Sequence, residues 1–439
     1  VLKLLLRDPR LPTADESGTR ATHRRWWIVG LLFLGMLINY VDRGNLSIAA
    51  VPIMRELHLS TSMAGVTLSA FFWTYLVFQF PAGYFVDRTG LRLSYGISFL
   101  VWTLSSAAVG LVHSVSGLIS LRMLLGMGES VAAPASLAYI KRNFQGDEQG
   151  LPTAFYLSGM TLGPAVGVFL GGALLEHVGW RTLFVLTGLV SMFWLWPWLR
   201  LAPSNGRVVV ETPGPSAKPE SKPNHSWRRL LVNRVVWGAA TSAVLYGYFS
   251  FFCFTWLPSY LVMSRGYTYM KTGTFMALPL SACALSGIVF GRLADWLART
   301  RSPLAVRKGF VIAGFLLATS ILLVTVVKSS AQVLAVLLFS YTVLGLAIAN
   351  FWAITQLISP ARLIGRFVSC QNAAAVAGGV CAPIVTGRLL GNGHDFGRSF
   401  EVAVLCLALA AVAIFVLIRE TGVKEIGYLF ANEEEELHA

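Results

Sequence analysis

Apolar runs of about twenty residues or more recur along this chain, and only a lipid bilayer offers so many of them a place. Six lie near 26–49, 63–86, 91–112, 115–140, 151–176 and 181–201. A second six lie near 234–263, 270–298, 306–328, 331–357, 363–390 and 397–419. In lipid, every backbone polar group must be satisfied internally, so runs of this length predict helices. The expected fold class is an all-α membrane protein with twelve transmembrane helices. Composition agrees. Of 439 residues, 55% are hydrophobic and 13% charged, about half the charged share of a soluble domain. A water-soluble enzyme, a disordered scaffold and a secreted disulfide module are excluded together. The run opening at Trp26 is too long for a cleaved signal peptide. The five cysteines (Cys253, Cys283, Cys370, Cys381 and Cys406) sit in apolar runs without C-x-x-C spacing, so neither a disulfide framework nor a zinc site is expected.

Between the two sets, residues 202–233 hold Pro203, Pro213, Pro215, Pro219 and Pro223 among Ser, Lys, Arg and Glu. That composition reads as a solvated linker. The expected organisation is a tail at 1–25, a six-helix bundle at 26–201, the linker at 202–233, a second bundle at 234–419 and a tail at 420–439. The net charge of +14 would point to nucleic acid in a soluble chain. Here the Lys and Arg residues crowd into the tails, the linker and the even-to-odd connections, by about four to one over the opposite side. By the positive-inside rule both termini and the linker face the cytoplasm. The expected partners are therefore the bilayer and a small solute, with no nucleic acid and no second subunit.

The halves echo one another. Gly83-Tyr-Phe-Val-Asp87-Arg88-Thr-Gly90-Leu-Arg92 closes the second span and opens the third, and Gly291-Arg-Leu-Ala-Asp295, with Arg299 beyond, falls between spans eight and nine. Related halves can expose a site at their interface to either side in turn. The first of these loops resembles the signature loop of the major facilitator superfamily. More specifically, Ile38-Asn39-Tyr40-Val41-Asp42-Arg43-Gly-Asn45-Leu46-Ser47 resembles the anion:cation symporter family. That family includes bacterial hexuronate, galactonate and glucarate transporters, vesicular glutamate carriers and sialin. Similarity continues through Ser69-Ala-Phe-Phe-Trp-Thr-Tyr75, Gln79-Phe-Pro81, Leu121-Arg122 with Glu129, Thr255-Trp256-Leu257-Pro258 and Gln371-Asn372, covering roughly residues 24 to 420.

Four ionisable side chains fall well inside spans: Asp42 and Arg43 in the first, Arg122 and Glu129 in the fourth. Each costs about 2.5–3.5 kcal/mol at a helix centre on insertion scales, so such residues face a bundle interior or a wet cavity. Their formal sum is zero. One proton brings it to +1 and two bring it to +2, a simple basis for coupling protons to an anion. Guanidinium suits a carboxylate, so Arg43 and Arg122 are expected to bind the substrate, Arg43 more directly. Asp42 and Glu129 are expected to carry protons, and the resemblance implies the same assignment. Tyr40, Tyr75, Gln79, Trp352 and Asn372 are expected to line the substrate path. Asn350, Thr355, Gln356 and Gln371 lie beside them in spans ten and eleven. Asp87, Arg88 and Arg92 are expected to latch the cytoplasmic face through a contact with the other half.

Span five carries Met160 where relatives of the galactonate type have a glutamine, which leaves room for a less hydroxylated acid. Its Gly159-x-x-x-Gly163-Pro164-x-x-Gly167 pattern resembles a motif of antiporters, although close helix packing explains it more simply. No nucleotide-binding loop is present. The seven histidines lie in tails, loops or span ends, which argues against a transmembrane haem. An anion channel would have no need of Asp42 and Glu129, and an enzyme would need a catalytic constellation. The expectation is a secondary carrier in a bacterial inner membrane, without cofactor apart from the coupling proton. It would take up a hexuronate or related sugar acid by symport. The alternatives are an aromatic-acid or dicarboxylate carrier, or an organic anion exchanger.

Overall fold

Helix starts are written locally. Ser60, Ser114, Asn233, Ser302 and Ser329 each accept a hydrogen bond from a backbone N–H of the first turn they precede, Ser302 with Pro303 next in line and Ser329 in a capping box with Gln332. The computed structural model describes residues 18–144, 148–203, 233–359, 364–391 and 395–422. Most of the expected tails and linker lie outside these residues. Among the described residues the structure is helical, with no strand.

Among the described residues, ten helical stretches are long and apolar enough to cross a bilayer. One of them, Gly150–Leu201, contains two crossings, because Gly179 adopts φ 75° and ψ 167° and breaks the helix. Leu91–Val109 is a further crossing, its hydropathy lowered by Arg92 together with serines and a threonine that are buried. The twelve crossings are helix one (Gly18–Glu56), two (Thr61–Thr89), three (Leu91–Val109), four (Val115–Glu129 and Ala132–Asn143), five (150–178) and six (180–201). Then follow seven (Arg234–Thr255 and Leu257–Met263), eight (Tyr269–Leu297), nine (Pro303–Ala318, continued by a 3₁₀ turn at Thr319–Thr325), ten (Ser330–Ile358), eleven (Ile364–Leu390) and twelve (Gly397–Leu417). Helix one is much longer than its apolar run. Helix four is interrupted after Glu129, where Pro134 removes the N–H that would bond the carbonyl of Ser130.

The chain divides into two units, Val1–Thr212 with Pro258–Ala277, and Pro213–Leu257 with Leu278–Ala439. In the first unit, helix five lies on helix one through a stripe of glycines. A Cβ at Gly163 would come within 2.5 Å of Tyr40 Cβ, and one at Gly167 within 2.8 Å of Val41 Cα. The antiporter-like pattern therefore serves close packing. Helices three and six share a ring cluster in which Phe99 stacks on Trp194 at 4.2 Å and Trp194 on Trp198 at 4.9 Å. In the second unit the first and fifth helices meet in the same manner, with Gly247 against the Ala375 carbonyl and Gly378 against that of Val244.

Candidate functional site

Asn39 and Arg43 stand one turn apart on helix one, with Asp42 turned toward a neighbouring direction. The glycine stripe fixes that helix against helix five, and the break after Glu129 ends the first segment of helix four beside it. All four ionisable residues are enclosed: Asp42 and Glu129 are each 1% exposed, Arg122 5% and Arg43 6%.

Arg43 and Glu129 form a buried ion pair of unusual asymmetry. Both Nε and Nη2 of Arg43 lie 2.8 Å from the same oxygen, Glu129 Oε2. Oε1 has no hydrogen-bond partner among the described residues. Three rings surround the guanidinium, with Cζ 4.6 Å from the centroid of Tyr40, 4.6 Å from Phe71 and 4.9 Å from Tyr75. Arg43 is thus held by one anion and three quadrupoles.

Arg122 differs. Its Cζ lies 4.9 Å from the Phe71 centroid, its Nε has no hydrogen-bond partner, and no ion pair reaches it among the described residues. The sequence led us to expect Arg43 as the more direct carboxylate ligand. In this structure Arg43 is engaged by Glu129, and Arg122 is the cation without a bonded anion. Asp42 accepts a hydrogen bond at Oδ1 from Ser106 Oγ of helix three at 3.0 Å, while Oδ2 has no partner among the described residues. The side-chain amide of Asn39 lies against the Glu129 carboxylate. One donor (Arg122 Nε) and two acceptors (Asp42 Oδ2, Glu129 Oε1) are therefore buried without hydrogen bonds among the described residues. Leaving such groups unpaired costs about 1–3 kcal/mol each, and a polar solute or water relieves it.

Tyr75 stacks on Phe71 with centroids 5.4 Å apart, and Gln79 follows one turn along helix two, half-buried. Tyr156 of helix five is fully buried, its hydroxyl 3.6 Å from Met36 Sδ, and Met160 is half-buried one turn beyond. Trp352 and Asn372 belong to the second unit and are both half-buried. Trp352 sits edge-on to Phe351 at 5.9 Å. Gln371 Oε1 and Thr355 Oγ1 are buried without hydrogen-bond partners among the described residues. Asn350 is better explained by packing. It is fully buried, accepts from Arg307 Nη1 at 3.1 Å and donates to the Leu346 carbonyl at 2.9 Å. Gln356 is exposed.

The residues of the expected latch have partners within the first unit. Asp87 pairs with Arg142 at the end of helix four, 3.1 Å away and within its own unit. Arg88 lies over the Tyr84 ring at 4.7 Å. Arg92 is buried, its Nη2 donates to the Leu199 carbonyl at 2.6 Å, and its own carbonyl accepts from Trp198 Nε1 at 3.1 Å. It pins helix three to the end of helix six, because the last carbonyls of a helix lack intrahelical donors. In the second unit Asp295 pairs with Arg307 at 2.6 Å. Sequence reasoning missed Phe71, Ser106, Arg142 and Arg307. Phe71 falls within Ser69-Ala-Phe-Phe-Trp-Thr-Tyr75, but nothing in that string marks it as a neighbour of both arginines.

Twelve crossings with four ionisable groups enclosed by the first unit define an integral, multi-pass membrane protein of the transporter class. The model of the Major Facilitator Superfamily matches residues 32–383, and the chain belongs to that superfamily. It is a transporter rather than an enzyme. It is 29% identical over 416 residues to a probable L-galactonate transporter of Escherichia coli strain K12, covering 92% of each chain. It is 26% identical to a hexuronate transporter of Bacillus subtilis strain 168, covering 89% of this chain and 94% of that one. Among solved structures it is similar in fold to a bacterial homolog of the human lysosomal transporter Spinster in an inward-facing, occupied conformation. The TM-score is 0.75 at 16% identity, over 90% of this chain and 96% of that chain. The xylose transporter XylE of Escherichia coli gives 0.70 at 16% identity, over 92% and 99%.

Proposed function

We propose that this transporter carries a small carboxylate anion, a hexuronate or related sugar acid, together with protons by alternating access. The names of its relatives, which include galactonate, galactarate/glucarate and hexuronate transporters, support the substrate class. The observation that carries the reading is the unequal state of the two arginines. Arg122 has no bonded anion, while Arg43 is held on one oxygen of Glu129. A substrate carboxylate meets Arg122 first. Protonation of Glu129 removes the charge that holds Arg43 and frees a second donor fork toward the same anion. Protonation of Asp42 raises the site charge once more. Tyr40, Tyr75 and Gln79 supply hydroxyl and amide partners for a polyol, and Trp352 and Asn372 are the corresponding candidates from the second unit. The proton gradient of a bacterial inner membrane would drive the cycle.

A second reading, an aromatic or dicarboxylic acid, is favoured by Met160 and by the three rings around Arg43. A ligand screen of the purified protein separates the two. D-glucuronate, D-galactonate and D-glucarate should raise the unfolding temperature, and Arg122→Lys should abolish most of that rise. A rise with aromatic acids and none with sugar acids would replace the first reading by the second.

A further inference from the structure

Phe71 is the residue that both guanidinium groups share. Its ring is fully buried and lies 4.6 Å from Arg43 Cζ and 4.9 Å from Arg122 Cζ. Two cations so close to one ring centroid demand that the ring itself be fixed, and several contacts fix it. Tyr75 stacks on it at 5.4 Å, and Phe72 meets it edge-on at 5.1 Å. Its backbone is clamped against helix four: a Cβ at Gly126 would fall 2.2 Å from the Phe71 carbonyl oxygen, and Thr74 Oγ1 donates to the Met123 carbonyl at 2.6 Å.

We infer that Phe71 is a positioning residue that holds Arg43 and Arg122 in place while leaving their N–H donors for the anion. This rests on the proposed role of those arginines in carboxylate binding. The chemistry is specific. A carboxylate stabilises a buried guanidinium but occupies its donors, as Glu129 does to Arg43. An aromatic face stabilises the charge through its quadrupole and accepts none of the in-plane N–H groups. Arg122, with the Phe71 ring beside it and no bonded anion, is thus both restrained and available. When Glu129 releases Arg43, the rings keep that fork in position, so substrate meets two pre-oriented cations and loses less to ordering.

The test uses the full-length purified protein in two arms. In the first, binding of D-glucuronate and D-galactonate is measured for wild type, Phe71→Leu and Phe71→Trp. Leucine keeps an apolar side chain without a π face and should weaken binding about tenfold. Tryptophan restores the face and should recover most of the loss. Equal affinities for the Leu and Trp variants, whether both unchanged or both weak, would overturn the inference. The second arm needs no ligand. Unfolding midpoints of Phe71→Leu, Arg122→Met and the double variant form a cycle, and the double variant should lose less than the sum of the single losses. Additive losses would overturn the inference as well. If wild type binds neither sugar acid while the cycle stays non-additive, the substrate reading falls and the positioning role of Phe71 stands.

Discussion

Two donors of one guanidinium rest on a single carboxylate oxygen of Glu129, so substitutions at this pair differ by which charge they leave behind. Glu129→Ala strands Arg43 without its counter-charge. Removing one partner of a buried pair costs about 3–5 kcal/mol, so this variant should show a clear loss in the unfolding midpoint. Glu129→Gln keeps the shape and imitates the protonated acid, so its loss should be much smaller. Arg122→Lys keeps the charge but not the planar fork, and the half-saturating anion concentration for uptake should rise about tenfold, a discrimination of about 1.4 kcal/mol. The four charges were legible in the sequence because an ionisable side chain in an apolar run stands out. Phe71 and Ser106 were not, because a phenylalanine or serine in such a run has no contrast with its neighbours. The helix-six carbonyl that Arg92 binds was not legible either, because no sequence pattern links residues 92 and 199.

At the scale of elements, the register of helix one against helix five sets where Tyr40, Asp42 and Arg43 point. Gly163 fits because a side chain there would meet Tyr40 Cβ at 2.5 Å and the Leu37 carbonyl oxygen at 2.9 Å. Gly163→Leu should force these helices apart, cost about 1–3 kcal/mol by overpacking and weaken anion binding by displacing Tyr40. Wild-type stability and binding in this variant would contradict the packing described. Asp87 and Arg142 give a milder expectation. Their pair is exposed and lies within one unit, and such pairs contribute about 0–1 kcal/mol, so Asp87→Asn should leave the unfolding midpoint almost unchanged. The spans were legible from their length and apolarity. The interruption after Glu129 was not, since Pro134 could equally have kinked the helix without breaking it.

At the scale of the molecule, the reading of two six-helix sets came from the spacing of apolar runs, and the superfamily match agrees with it. Sidedness rests on the distribution of Lys and Arg. Single cysteines introduced at His58 and at Thr89 should be labelled by a membrane-impermeant maleimide from opposite faces of oriented vesicles, position 89 from the cytoplasmic face. Labelling of both from one face would refute the topology. Carrier behaviour should appear as counterflow, with substrate on the far side accelerating exchange. Proton coupling is measured by anion accumulation in proteoliposomes under an imposed pH gradient, wild type beside Glu129→Gln. The prediction is that wild type accumulates D-glucuronate or D-galactonate in proportion to the gradient. The variant should still exchange anion for anion but no longer respond to the gradient. Gradient-driven accumulation by Glu129→Gln equal to that of wild type would contradict the proposal that Glu129 couples protons to the anion by releasing Arg43.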